Sequence, residues 1–251
     1  MDAEIQAHIR YAAALWRETE RVGPFLATFT ESSDNPYLNY AVPDDNAEPT
    51  AEEVAALVAA FERRSRKPRL EYLPTVAPAV EGELLAGGFQ VEGRPPLMVC
   101  TPETARELPA PSGIEVLVPE EDSEFGGVVS VAKEAYDSDL SPPTEREVAG
   151  RRRLLAEGGC VVLARDAETR EPAGSGICDV ARAGVTELAA VAVRPAFRRR
   201  GIAGAVTARL AREAFAKGVK VVWLTPDDDQ AERIYARAGF VTGSEVLHIS
   251  R

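Results

Sequence analysis

Arg198-Arg199-Arg200-Gly201-Ile202-Ala203-Gly204 stands between two different periodicities. Ahead of it, Leu188 to Val193 is an unbroken apolar run, the pattern of a buried strand. Behind it, Ile202, Val206, Leu210 and Ala214 recur every four residues and mark one helix face, which Lys217-Gly218 brings to a stop. A basic, glycine-bearing turn therefore joins a strand to a helix N-terminus. The first amides of a helix have no partner inside it, and its dipole is positive at that end. Such a turn suits a phosphate, and Gly201 allows close backbone approach because no Cβ intervenes. The alternative is a plain turn with three solvated arginines. It is not a Walker loop, since no Gly-Lys-Ser/Thr follows, and its glycine spacing does not fit a dinucleotide fingerprint.

Downstream, Val221-Val222-Trp223-Leu224 reads as a buried strand. After an acidic turn, Asp228 to Tyr235 reads as a helix, ended by Ala238-Gly239-Phe240. Together these stretches resemble the GCN5-related N-acetyltransferase (GNAT) superfamily. The acetyl-CoA loop of that family, Arg/Gln-x-x-Gly-x-Gly/Ala, is matched by Arg198, Gly201 and Ala203. Its later helix, Asn-x-x-Ala-x-x-Leu-Tyr followed by Gly-Phe, is matched by Ala231, Ile234, Tyr235, Gly239 and Phe240. Asp228 stands where the family usually has Asn, a departure that touches one cofactor contact and not the fold. The resemblance covers about residues 112–251, with two motifs in the right order at the right distance.

The resemblance implies an α/β (α+β) fold: a mixed central sheet with helices on both faces. It implies acetyl-CoA as cosubstrate and no metal. Arg198, Arg199, Arg200, Gly201, Ile202, Ala203 and Gly204 would hold the pyrophosphate, mainly through main-chain N–H groups. Val191, Ala192 and Val193 would offer backbone groups to the pantetheine arm where two parallel strands splay. Asp228 and Ala231 complete the cofactor-binding set. Tyr235 matches the phenol that commonly protonates the departing thiolate; its alternative role is a buried aromatic on an amphipathic helix. Glu187, at the start of the central strand, is the candidate base, set against an ordinary exposed strand residue. Asp179 is a weaker candidate base, and Asp137 and Asp139 are expected to attract a cationic substrate.

Composition fits a soluble enzyme: of 251 residues 45% are hydrophobic, enough for a sizeable core. No apolar run approaches the ~20 residues that span a bilayer, and the acidic start, Met1-Asp2-Ala3-Glu4, is unlike a secretory signal. Cys100, Cys160 and Cys178 lack metal-ligand spacing and read as reduced thiols of a cytoplasmic protein. His8 and His248 lie near opposite ends, which disfavours a His-based metal site. A net charge of −11 argues against a general nucleic-acid binder and mildly favours a cationic acceptor. Thr50 and Glu53 read as a capping box opening a helix. Arg151, Arg152 and Arg153 are expected on a solvated helix face.

The chain also carries a degraded copy of itself. An offset of 151 residues sets Leu73, Gly88 and Phe89 onto Leu224, Gly239 and Phe240, and Tyr40-Ala41-Val42 onto Val191-Ala192-Val193. The same offset puts Leu84 under Tyr235 and Thr50 under Gly201, so the first half keeps the fold signals and lacks the site. The expected organisation is a partial GNAT-like domain at 1–102, a Pro/Ala-rich joint at 103–113, and a catalytic domain at 114–251. In the second half the order strand, two helices, three strands, helix, strand, helix, strand is that of the acetyltransferase fold. The expected activity is transfer of an acetyl group from acetyl-CoA to a primary amine, on a small molecule or a peptide, by direct attack. The alternatives are a non-catalytic acyl-CoA-binding regulatory module and an acyltransferase for larger acyl groups. No nucleic-acid or membrane partner is expected. The first half is expected either to wall the acceptor cleft or to support a homodimer.

Overall fold

The computed structural model describes residues 1–31, 33–136 and 140–251. In chain order the elements are α1 (Asp2–Ala14), β1 (Glu18–Val22), β2 (Phe25–Phe29), β3 (Tyr40–Pro43), α2 (Ala51–Glu62), β4 (Arg69–Tyr72), α3 (Val80–Ala86), β5 (Gln90–Gly93) and β6 (Pro96–Cys100). They continue with β7 (Ile114–Leu117), α4 (Asp122–Tyr136), α5 (Glu145–Ala156), β8 (Cys160–Asp166), β9 (Pro172–Cys178), β10 (Val185–Val193), α6 (Ile202–Ala216) and β11 (Val221–Leu224). The chain closes with α7 (Asp229–Arg237), β12 (Val241–Glu245) and β13 (Leu247–Ser250). The mixed α+β architecture of the second half follows the order read from sequence. Among the described residues no helix is long and apolar enough to cross a membrane.

Two compact units result, and the first is not one continuous stretch: residues 1–97 with 242–251, and residues 98–241. The sequence reading kept 242–251 with the second domain; the structure places them in the first unit. The reason is strand pairing. In the six-stranded sheet, ordered β1-β2-β3-β4-β13-β5, the last strand of the chain lies between β4 and β5. Leu247 pairs with Tyr72 and Ser250 with both Arg69 and Gln90. The seven-stranded sheet runs β7-β8-β9-β10-β11-β6-β12, so β6, which follows β5, pairs with β11 instead, Cys100 opposite Val222 and Met98 opposite Leu224. Among the described residues the first sheet has no counterpart of β7, the edge strand that opens the second.

The second unit is built on alternation. On β8 and β9, Cys160, Val162, Ala164 and Cys178 enter the core under α6, while Val161, Leu163 and Ile177 enter the core under α4 and α5. From α6, Ile202, Val206 and Leu210 are buried, each contributing about 1.5–3 kcal/mol. The helix sits close because β9 carries glycines beneath it. A Cβ on Gly174 would meet Ile202 Cγ2 at 2.7 Å, and one on Gly176 would meet Leu210 Cδ1 at 2.8 Å. The segment read as a joint is folded onto this unit. The Arg106 N–H donates to the Ala238 carbonyl at 3.0 Å, and Leu108 packs against the core. All three cysteines are buried and free.

Candidate active site

The central parallel pair sets the site. β10 and β11 pair at Val185–Val221, Thr186–Val222 and Glu187–Trp223, and there the pairing stops. β10 runs on to Val193, so from Leu188 onward it has no strand partner on its β11 side among the described residues. On its other side a bulge interrupts the pairing with β9 between Ala189 and Ala192, and Ala190 takes a positive φ of 53°. A non-glycine residue there is strained by about 1–3 kcal/mol, and such strain clusters at functional positions. Side chains reach the carbonyls of Val191 and Val193: Tyr136 Oη donates to Val191 O at 3.1 Å and Arg198 Nε to Val193 O at 3.2 Å.

Beyond β10 a short 3-10 turn, Pro195–Phe197, leads into α6. Arg199 (φ 61°) and Gly201 (φ 85°) are both left-handed, and Gly201 is the N-cap of α6 with no side-chain cap. The mouth of α6 is therefore open to a ligand through Ile202, Ala203 and Gly204. Only the carbonyl side is internally committed, Ala205 N–H donating to Gly201 O at 3.2 Å. The arginines act locally: Arg198 reaches the Val193 carbonyl, and Arg200 lies 5.4 Å from the Phe197 ring.

The first unit supplies the contrast. Its α2 begins at Thr50, the position 151 residues before Gly201. Thr50 Oγ1 accepts from Glu53 N–H at 3.2 Å, and Glu53 Oε2 accepts from Thr50 N–H at 2.8 Å. This capping box engages the Thr50 and Glu53 N–H groups and sets a carboxylate where a phosphate would go. Between β3 and β4, paired only at Ala41–Leu70, the carboxamide of fully buried Gln6 holds the separated edges. It donates to Pro43 O at 3.2 Å and accepts from Leu73 N–H at 2.9 Å. Leu84 stands where the second unit has Tyr235.

Tyr235 lies on α7, half-buried, with its ring 6.1 Å from Phe240. Burial, then the neighbouring Tyr136, Asp227 and Asp228, push its phenol well above the ordinary range, so it stays protonated. Tyr136 shares that surrounding, its phenol pushed up to about 12 by burial and Asp227. Glu187 sits at the closed end of the cleft, its carbonyl accepting from Asp179 N–H at 3.0 Å. Its neighbour Leu188 faces the α6 core and Ala189 the α4/α5 core. Alternation thus puts Glu187 on the α4/α5 face, with Asp179, the residue after β9, opposite it.

Several of the expected residues have partners of their own within the chain. Asp228 is the N-cap of α7, its Oδ1 accepting from Ala231 N–H at 2.7 Å, so these two expected cofactor contacts meet each other. Arg152 and Arg153 are exposed and pair with Asp122 and Glu157, as a solvated face requires. Arg151 instead lies half-buried on the stripe of Val148, Leu154 and Leu155 that packs on the sheet. Desolvation lowers its pKa against the opposing fields of Asp179 and Glu147. Asp137 and Asp139 lie outside the described residues. Sequence reasoning missed Tyr136 and Gln6; an aromatic closing α4 was a signal for the first, whereas nothing local marks the second. A cavity of about 720 Å³ on the outer side of α6, lined by Leu108, Val116, Ala208, Arg212 and Phe215, contains none of the expected site residues.

The sequence profile of the acetyltransferase (GNAT) family matches residues 127–240. The fold is similar to that of a GCN5-related N-acetyltransferase from Kribbella flavida, with TM-score 0.82 and 25% identity over 100% of this chain and 95% of that one. A GCN5-related N-acetyltransferase from Sphaerobacter thermophilus gives TM-score 0.62 and 20% identity, over 90% of this chain and 76% of that one. A tandem GNAT protein from the clavulanic acid biosynthesis pathway gives 0.66 and 12%, over 90% and 78%. Among curated proteins none matches the sequence. The splayed strands, the open helix mouth and the profile match coincide in one unit, where residues 127–240 match the acetyltransferase (GNAT) family.

Proposed function

We propose that the chain transfers an acyl group, acetyl in the first instance, from acyl-CoA to a primary amine at the cleft of the second unit. One observation carries this reading: the partnerless edge of β10 leads directly to a helix mouth without a side-chain cap. An amide-bearing arm fits the first and a diphosphate the second. Gln6 supports the fit, because in the first unit a carboxamide is what the separated edges hold. When bound, acetyl-CoA supplies the thioester whose acyl group is transferred.

The residues of the chain do the rest. Amides of Ile202, Ala203 and Gly204 bind the diphosphate, and Gly201 keeps their approach clear. An alkyl amine with a lysine-like pKa is only ~10⁻³ neutral at pH 7, a cost of roughly 4–5 kcal/mol. Glu187, with Asp179 opposite it, is the carboxylate placed to take that proton, directly or through water. Tyr235, held protonated by its surroundings, is the donor for the thiolate that leaves. No cysteine serves as nucleophile in this scheme, because the amine attacks the thioester itself; Cys100, Cys160 and Cys178 are all buried.

The test is thiol release from acetyl-CoA in the presence of a broad amine panel. Release that depends on an amine supports transfer. Binding of coenzyme A without release for every amine replaces it with a non-catalytic acyl-CoA module, and absence of binding removes both readings.

A further inference from the structure

We propose that the Tyr136 hydroxyl is a displaceable occupant of the Val191 carbonyl and thereby sets the affinity of the second unit for acyl-CoA. The inference rests on the reading of that cleft as the acyl-CoA site.

A strand edge without a partner leaves backbone groups that must be satisfied. Both units face this problem at the same place, and each solves it from a helix lying over the sheet. In the first, α1 contributes Gln6, which is fully buried and bonds both edges at once, at 3.2 and 2.9 Å. Arg10 Nε adds a second donor to the same Pro43 carbonyl at 3.3 Å. That arrangement is a permanent filling. In the second, α4 contributes Tyr136, with one bond of 3.1 Å to one edge, from a residue that as a whole remains 53% exposed. A single bond from an exposed residue at the end of a helix is an exchangeable one. The bond of the phenol reaches one edge, whereas the carboxamide bonds both.

The arm of acyl-CoA carries secondary amides, whose N–H groups would compete with the Tyr136 hydroxyl for the Val191 carbonyl. Binding therefore exchanges one hydrogen bond for another, and the affinity is reduced by what the Tyr136 contact is worth. A typical net hydrogen bond corresponds to about a two- to tenfold change in an equilibrium constant. The phenol stays a donor through neutral pH because burial and Asp227 hold its pKa up. Its field on Tyr235 sets Tyr136 beside the group proposed to protonate the thiolate.

The test is calorimetric titration of coenzyme A into the full-length protein and into Tyr136→Phe, which removes only the hydroxyl. The expected result is binding tightened about two- to tenfold in the variant, with KM for acetyl-CoA lowered by a similar factor and KM for the amine unchanged. Equal or weaker binding by a variant with the wild-type melting temperature overturns the proposal while leaving the acyl-CoA reading intact. A second readout holds even if the variant is unstable: in wild-type protein labelled on tyrosine rings, the Tyr136 resonance must shift when coenzyme A saturates the site. An unmoved resonance at saturation overturns the proposal. No binding to either protein removes the acyl-CoA reading itself.

Discussion

Gly201 and Thr50 begin equivalent helices and differ in what they leave for a ligand. Gly201 takes φ 85° and offers no side chain, so the amides behind it stay available. Thr50 and Glu53 close the other helix with their own oxygens. Replacing Gly201 by Glu would strain a left-handed position and set a carboxylate at the mouth. Affinity for coenzyme A should fall more than tenfold in calorimetry; unchanged affinity would refute the phosphate site. Tyr235 belongs to the same scale. Tyr235→Phe keeps the ring against Phe240 and removes the proton, so kcat should drop ~10²-fold while the affinity for acetyl-CoA barely moves. Equal turnover in variant and wild type would remove Tyr235 from the acid role. Its raised pKa also means that activity should not decline between pH 7 and 9 through ionisation of the phenol.

At the scale of elements, β13 is held between β4 and β5 by more than its ladder. Glu92 on β5 accepts from Ser250 on β13 at 2.6 Å, from Lys67 at 2.9 Å and from Arg69 on β4 at 2.8 Å. Arg69 is fully buried, and its second carboxylate partner is Glu71. Burial alone would raise the pKa of Glu92, but these hydrogen bonds and the charge of Arg69 hold it down to about 2. A carboxylate depressed in the folded state adds stability that is present above its unfolded pKa and is lost as pH falls through the folded one. Unscreened, the shift corresponds to about 3 kcal/mol, and solvent screening of this partly exposed carboxylate reduces it. Acid destabilisation of the first unit should therefore develop between about pH 4.5 and pH 2. Glu92→Gln should lower stability at pH 7 and flatten that acid limb in urea unfolding curves; an unchanged limb would show that other groups dominate.

At the scale of the molecule, each sheet takes a strand from the sequence neighbourhood of the other. β6 follows the edge strand of the first sheet and pairs in the second; β13 follows β12 and pairs in the first. Cutting the chain at the apparent joint would thus give a second half carrying β13 without its partners, and lacking β6. Deleting residues 247–251 should leave β4 and β5 as open edges. The expected outcome is rapid amide exchange at Arg69–Tyr72 and Gln90–Gly93, with a lower melting temperature and a tendency to aggregate. Retained protection of those amides would mean that β13 is dispensable.

What the sequence by itself determined is what short-range physics determines. The helix face from Ile202 to Ala214, the turn before it, the Thr50 capping box and the order of elements from Ile114 to Phe240 all follow from periodicity, capping and glycine placement within a few residues. The repeat at an offset of 151 belongs here too: β3, α2, β4 and α3 lie where β10, α6, β11 and α7 place their counterparts. Only the tertiary structure decided which edges pair with β6 and β13, because strand partners are chosen by competition among backbone edges far apart in sequence. The same holds for the bulge at Ala190, for Gln6 closing one cleft and for Tyr136 resting in the other. A buried polar group takes the partner that the folded chain brings to it, and no local pattern names that partner in advance.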